Sequence, residues 1–224
     1  MNSMHAEIKE QRMKLTTART TGLFYLGLAI TGVFAFLFAR DQLLVDGDAA
    51  QTAANLVKDE TLARYGIAAE VLIAGFQALA AVWFYKLFKK RDSFTAGLIT
   101  VFGMVNAIII LAASAFWLMA LNTALAGGMS SSVQTLFETH DALWQVGALF
   151  FGLWLLPMAY MASKAKMPRA MVWFLVAGGV GYVLSTFTSI LLPEQTALTE
   201  NLPLPASIGE FWMIGYLLFK QVKV

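Results

Sequence analysis

The sequence contains no cysteine, two histidines and only 13% charged residues in its 224 positions. Without cysteine the chain has no disulfides, no thiolate nucleophile and no cysteine-ligated metal. His5 lies in the amino-terminal tail, which leaves His140 alone and excludes multi-histidine metal hydrolases and bis-histidine haem proteins. The glycine-rich phosphate loops and the zinc motif H-E-x-x-H are absent as well. These absences exclude the enzyme classes that depend on a thiolate, on several histidines or on a glycine-rich phosphate loop.

Apolar residues make up 58% of the chain, and they fall in six long stretches. A stretch of about 20 apolar residues is long enough to cross a bilayer as a helix. We therefore predict an all-α, integral membrane six-helix bundle, with residues 1–18 as a cytoplasmic segment and residues 19–224 as one six-span domain. The predicted spans are Thr20–Ala39, Tyr65–Phe88, Phe94–Leu121, Phe137–Ala162, Ala170–Leu192 and Ile208–Phe219. No lysine lies in the middle of a span, which excludes a retinal Schiff base.

The charges alternate in sign along the loops between these spans. Thirteen of the 16 Lys and Arg residues, but only three of the 14 Asp and Glu residues, lie in the terminal segments and in the turns near residues 86–92 and 164–169. Cytoplasmic loops carry an excess of Lys and Arg. The pattern predicts that both termini lie in the cytoplasm and that the protein lies in the cytoplasmic membrane. The basic residues form short clusters at helix ends, so we expect contacts with membrane lipids and none with nucleic acid.

Local signals predict several helix ends and packing contacts. Asp48 follows a turn signal and is expected to cap a short helix over Ala49–Val57, and Pro168 marks the start of the fifth span. Small residues, which let helices approach closely in lipid, recur in the fifth span as Gly178, Gly179 and Gly181. Tryptophans such as Trp117 and Trp144 are assigned to an interfacial aromatic belt.

Ionisable residues inside spans are costly and are functional candidates by default. Glu70 lies inside the second span, while His140 and Asp141 open the fourth, and Glu210 opens the sixth. All lie towards the outer side, so we predict that they converge on an outward-facing polar pocket. The candidate ligand-binding residues are Glu70, His140, Asp141, Gln145 and Glu210.

Structural explanations exist for the same residues. Arg64 lies six residues before Glu70, and Arg40 flanks the first span, so either could form an ion pair with Glu70. Glu210 completes a capping box that begins at Ser207. Glu138 suits the first turn of the fourth span. The buried amides Gln77 and Asn106 are expected to form interhelical hydrogen bonds.

Several short motifs resemble one family of bacterial membrane proteins, domain of unknown function 4386. The resemblance covers the chain from Arg19 to its end, with a departure at the fourth span, where Pro157 replaces a glycine-bearing approach to Tyr160. The motifs are the run Arg19–Leu26, Gly47-Asp48-Ala49 with Glu60 and Arg64, Phe151-Gly152-Leu153 with Tyr160, Pro168 and Arg169, Gly181-Tyr182 and Gly209-Glu210. The resemblance implies a six-span membrane fold and no known activity.

The leading hypothesis is a membrane protein that binds a small ligand or lipid in the outer pocket. Three alternatives stay open: an intramembrane enzyme with a carboxylate and histidine site, a small transporter, and a structural or regulatory partner of another membrane protein. The transporter is suggested by a faint similarity between the turns after Tyr85 and Tyr160. The sequence specifies no cofactor or metal, and it leaves open both a homo-oligomer and a membrane-protein partner.

Overall fold

The computed structural model describes residues 16–220 and 222, so most of the predicted segment 1–18 lies outside the described residues. The described chain is helical, and short turns separate its helices. The helices are α1 (Thr17–Leu43), α2 (Ala49–Lys58), α3 (Glu60–Phe88), α4 (Ser93–Leu125), α5 (Ser130–Lys164), α6 (Arg169–Leu191), α7 (Thr196–Asn201) and α8 (Leu204–Phe219). Within α1, the stretch Phe34–Arg40 is a π-helix.

Six helical stretches are long and apolar enough to cross a membrane, which confirms the six-span prediction. They are α1, α3, α4, α5, α6 and the combined α7–α8 segment Thr196–Phe219. Most of these helices extend beyond the predicted apolar limits. The clearest case is α5, whose 35 residues extend about 52 Å. A hydrocarbon core is only about 30 Å thick, so the polar end turns of α5 project beyond it.

The outer surface of the bundle is apolar. Leu37, Trp173 and Leu191 are each at least 70% exposed, and many other large apolar side chains also point outwards. A water-soluble monomer rarely exposes so much contiguous apolar surface. The protein is therefore a multi-pass membrane protein.

Two predicted helix ends are found where expected. The Asp48 carboxylate caps α2 by accepting the N–H of Gln51 at 2.8 Å, and α6 begins directly after Pro168. Asp92 caps α4 by accepting the N–H of Thr95, and this backbone hydrogen bond holds the pKa of Asp92 below its usual range.

Two predicted helix starts are wrong. Helix α8 begins at Leu204, so Ser207 lies inside it and forms no capping box with Glu210. Helix α5 begins at Ser130, so Glu138 lies in its third turn and not in its first. In both places the helix starts in polar or proline-containing sequence that precedes the apolar stretch.

The six long helices form a closed ring. Along the ring, α1 packs on α3, α3 on α4, α4 on α5, α5 on α6, α6 on α8, and α8 on α1. Side chains of α5 fill the centre, where Trp154 meets Tyr25 and Phe84 edge-on. The guanidinium of Arg91 donates to the carbonyl of Lys164, which places the two basic turns at the same end of the bundle. We call this the basic end.

Glycines allow α6 to approach its neighbours. A Cβ at Gly178 would lie 2.3 Å from Cα of Ala206, and one at Gly181 would lie 2.0 Å from the carbonyl oxygen of Leu202. A third close approach joins Gly152 of α5 to the backbone of Gly179. These contacts confirm that small residues in the fifth span form packing surfaces.

We expect Gly178→Ala to destabilise the fold by about 1–3 kcal/mol, because α8 must move to admit the methyl group. Gly75→Ala is the matched control, because a Cβ there meets nothing within 4 Å. Replacing this glycine inside a helix should stabilise the fold by about 0.5–1 kcal/mol. Denaturation of both variants in detergent micelles measures the difference, and equal stability would contradict the packing described.

Candidate functional site

A chain of polar side chains crosses the interior between α1, α3 and α5. It begins at Arg40, at the end of the π-helical stretch of α1, and continues through Asp141 and His140 of α5 to Glu70 of α3. Trp144, four residues after His140 and on the same face of α5, also reaches Glu70. We call these five residues the polar network.

The contacts within the polar network are short. Arg40 Nη2 lies 2.6 Å from Asp141 Oδ2, and Asp141 Oδ1 lies 2.8 Å from His140 Nδ1. His140 Nε2 lies 2.7 Å from Glu70 Oε1, and the indole N–H of Trp144 donates to the same oxygen at 2.5 Å. Charge-assisted hydrogen bonds of this length are among the strongest in proteins.

Hydrogen-bond chemistry limits where protons can lie in the polar network. Each ring nitrogen of His140 faces a carboxylate oxygen, and an ionised carboxylate only accepts hydrogen bonds. With both carboxylates ionised, both nitrogens donate and the ring is an imidazolium. The charges of Arg40, His140, Asp141 and Glu70 then sum to zero, which reduces the cost of placing them inside a membrane protein.

The four charged residues of the polar network are partly exposed at one end and buried at the other. The side chains of Arg40 and Asp141 are 26% and 42% exposed, whereas those of His140 and Glu70 are fully buried. The rings of Trp117 and Phe137 meet the imidazole edge-on. Of these four charged residues, only Arg40 and Asp141 are therefore accessible from outside.

The structure unites only part of the predicted pocket. Glu70, His140 and Asp141 meet as expected, but Gln145 is exposed on α5 and Glu210 lies elsewhere. Arg40 pairs with Asp141, so the pairing of Arg40 with Glu70 is wrong.

Arg64 also proves to have a different partner. Its guanidinium pairs with Glu60 at 2.6 Å, one helical turn earlier on α3, so the pairing of Arg64 with Glu70 is wrong. Glu70 takes its partners from α5, on the far side of the bundle interior.

Two aromatic residues assigned to the interfacial belt lie inside the bundle. Trp117 is 1% exposed, and the indole N–H of Trp144 donates a hydrogen bond to Glu70. The signal for Trp144 was its spacing of four residues from His140. Gln77 and Asn106 are also buried, and their amide atoms find no hydrogen-bond partner among the described residues, contrary to expectation.

Glu210 lies on a separate cleft between α1 and α8. The cleft has a volume of about 400 Å³, and the phenol of Tyr25 donates to Glu210 Oε1 across it at 2.6 Å. Apart from Ser207, Gly32 and Glu210, its lining is aliphatic or aromatic. The lining residues are Tyr25, Leu28, Ala29, Gly32, Val33, Phe36, Leu37, Ile73, Trp144, Phe151, Tyr182, Ser207, Glu210, Phe211 and Ile214.

The cleft opens sideways through the wall of the bundle. At the basic end α1 and α8 are in close contact, since a Cβ at Gly22 would lie 3.0 Å from Leu217. Further along, the exposed side chains of Leu37 and Phe211 form the rim. Trp144 lies between the cleft and the charged side chains of the polar network, because its ring lines the cleft and its N–H donates to Glu70.

The described residues contain no group of three or more His, Asp or Glu side chains arranged to hold a metal. In the polar network both ring nitrogens of His140 already face carboxylates. The arrangement can store or transfer a proton along His140, and it can hold α1, α3 and α5 together.

We expect Glu70→Ala to destabilise the protein by about 3–5 kcal/mol, because it leaves a buried imidazolium without its partner. The control is Glu60→Ala, which removes the largely exposed partner of Arg64 and should cost less than about 1 kcal/mol. Chemical denaturation in micelles measures both. When Glu70→Ala is combined with His140→Ala, we expect the loss of stability to differ from the sum of the two single losses by about 0.5–3 kcal/mol. Additive losses would show that the two residues do not act as a pair.

Comparison with known proteins identifies the family. The model of the family described as "Domain of unknown function (DUF4386)" matches residues 20–220, which include every helix of the bundle except the first turn of α1. No curated protein and no solved structure matches the sequence. The match covers most of the chain, and the protein therefore belongs to the DUF4386 family of membrane proteins.

Proposed function

We propose that this protein binds a small amphipathic molecule or lipid in the cleft between α1 and α8. The observation that supports this most strongly is a cavity of about 400 Å³ with a mainly apolar lining and one carboxylate, Glu210. Binding sites for small molecules are typically concave and apolar, with a few polar groups that orient the ligand. The proposal replaces the outward-facing polar pocket with a site that faces the lipid.

The position of the cleft favours a ligand that arrives from the membrane. Leu37 and Phe211 at the rim are exposed on the apolar surface of the bundle. A molecule dissolved in lipid can enter between them without crossing a polar barrier. The apolar body of the ligand would contact Leu28 and Ile214, and its polar group would reach Glu210.

An intramembrane enzyme is the second candidate function. It is favoured by His140, which lies between two carboxylates as a general acid or base would. The enzyme is less well supported than the binding protein, because the imidazole is fully buried and Trp144 separates it from the cleft. A substrate in the cleft would reach the network only after Trp144 moved.

The membrane and the orientation are also proposals. We propose that the protein lies in the bacterial cytoplasmic membrane with its basic end in the cytoplasm. The support is the concentration of Lys and Arg in the turns at that end, which follows the positive-inside rule.

The absence of cysteine makes the orientation easy to test. In intact cells, we expect a membrane-impermeant maleimide to label Ser131→Cys, which is exposed at the opposite end, and to leave Lys90→Cys unlabelled. The wild-type chain gives no background because it has no cysteine. Permeabilised cells should label both variants, and labelling of Lys90→Cys in intact cells would reverse the orientation.

The cleft itself is tested by filling it. Gly32 lines the cleft, and a Cβ there meets nothing within 4 Å, so Gly32→Trp should occupy the cavity and leave the helix intact. We expect wild-type protein in lipid nanodiscs to bind the uncharged probe triphenylphosphine oxide above the level of empty nanodiscs, and Gly32→Trp to abolish this binding.

The matched control is Gly75→Trp, which adds the same side chain at an exposed position of α3 outside the cleft. It should bind the probe as the wild type does. Equal binding by Gly32→Trp, or none by the wild type, would contradict the proposed site.

A further inference from the structure

The cleft has an unusual combination of side chains. Its walls include one carboxylate, Glu210, and no arginine, lysine or histidine. Six of its fifteen lining residues are aromatic: Tyr25, Phe36, Trp144, Phe151, Tyr182 and Phe211. A carboxylate among aromatic rings attracts a cation by its charge, and any ring that presents its face adds a cation–π contact.

The groups behind the cleft do not cancel the charge of Glu210. Arg40 lies behind the cleft wall, with its guanidinium 5.8 Å from the centre of the Phe36 ring. Arg40 is already paired with Asp141 at 2.6 Å. The charges of the polar network, on the far side of Trp144, sum to zero when both its carboxylates are ionised. When Glu210 is ionised, the described residues that line the cleft supply no positive charge to balance it.

One oxygen of Glu210 remains free for a ligand. Tyr25 donates its phenol proton to Oε1, and the described residues provide no hydrogen bond to Oε2. Ser207, one turn earlier on α8, also lines the cleft and adds a second polar group beside it. A positively charged head group would therefore meet Glu210, while aliphatic and aromatic side chains enclose the rest of the molecule.

We propose that the ligand of the cleft is a lipophilic organic cation, an amine or quaternary onium with an apolar body. This inference rests on the proposed binding function and specifies its ligand class. The charge is recognised by Glu210 and the surrounding aromatic rings, and the apolar body is recognised by the rest of the lining. A neutral amphiphile of the same size would bind more weakly, because it gains neither the charge attraction nor the cation–π contacts.

The test compares two probes of similar shape and different charge. Tetraphenylphosphonium is a lipophilic cation, and triphenylphosphine oxide is uncharged. Equilibrium dialysis of protein-containing nanodiscs, corrected for empty nanodiscs, should give an affinity for the cation at least about tenfold higher. Gly32→Trp should abolish the binding of both probes.

Two substitutions separate charge from shape. Glu210→Gln keeps the size of the side chain and accepts the Tyr25 hydrogen bond, and it should lower affinity for the cation about tenfold without changing that for the uncharged probe. Tyr25→Phe keeps the charge and the ring, and it should retain most of the binding of the cation. Glu138→Gln, at an exposed position of α5, should change nothing.

The outcomes distinguish this inference from the proposed function. If both probes bind equally and neither responds to Glu210→Gln, the cleft is a binding site but its preference for cations is wrong. A loss in Tyr25→Phe as large as in Glu210→Gln would also overturn the cation preference, since a hydrogen bond and not the charge would then control binding. If neither probe binds to the wild type, both the inference and the proposed function fail.

Discussion

The contact between Glu70 and His140 is the constraint on which the interior of this protein depends. A carboxylate inside a membrane bundle must have its charge balanced by a nearby group, because lipid supplies no water to solvate it. Here the balance comes from α5, across the centre of the ring, with Asp141 and Arg40 extending it to α1. Three helices are thus held in register by one set of charges.

The cleft follows from the same arrangement. Trp144 is fixed by its hydrogen bond to Glu70, and Phe36 and Phe151 pack against its ring. These contacts support the wall of the cleft, and a ligand in the proposed site would enter a cleft that is already formed. Preorganisation increases affinity because less conformational entropy is lost when a ligand binds. The polar network would then support binding without touching the ligand.

Much of the fold could be predicted from the sequence. Apolar length defines the six spans, and local chemistry defines the cap at Asp48 and the start of α6 after Pro168. The extra turns at the start of α5 and α8 could not be predicted from apolar length, since polar residues continue these helices beyond the hydrocarbon core. The side of the membrane on which each end lies stays a prediction.

Less of the candidate site could be predicted. Ionisable residues inside apolar spans are costly, so Glu70 and His140 could be recognised as candidates. The partner of each depends on how the helices are rotated against one another, and sequence spacing does not contain that information. Glu210 therefore accepts a hydrogen bond from Tyr25 and lies away from Glu70, and Arg40 forms its ion pair with Asp141.

The π-helical stretch Phe34–Arg40 gives α1 an unusual mechanical property. A π turn holds one residue more than an α turn, so this part of α1 carries the equivalent of a one-residue insertion. Rewinding it as an α-helix would rotate one end against the other by about 100°. The stretch includes Phe36 and Leu37 on the cleft wall and ends at Arg40, the partner of Asp141. A shift of backbone register in this stretch would therefore change the wall of the cleft and the Arg40–Asp141 ion pair at the same time.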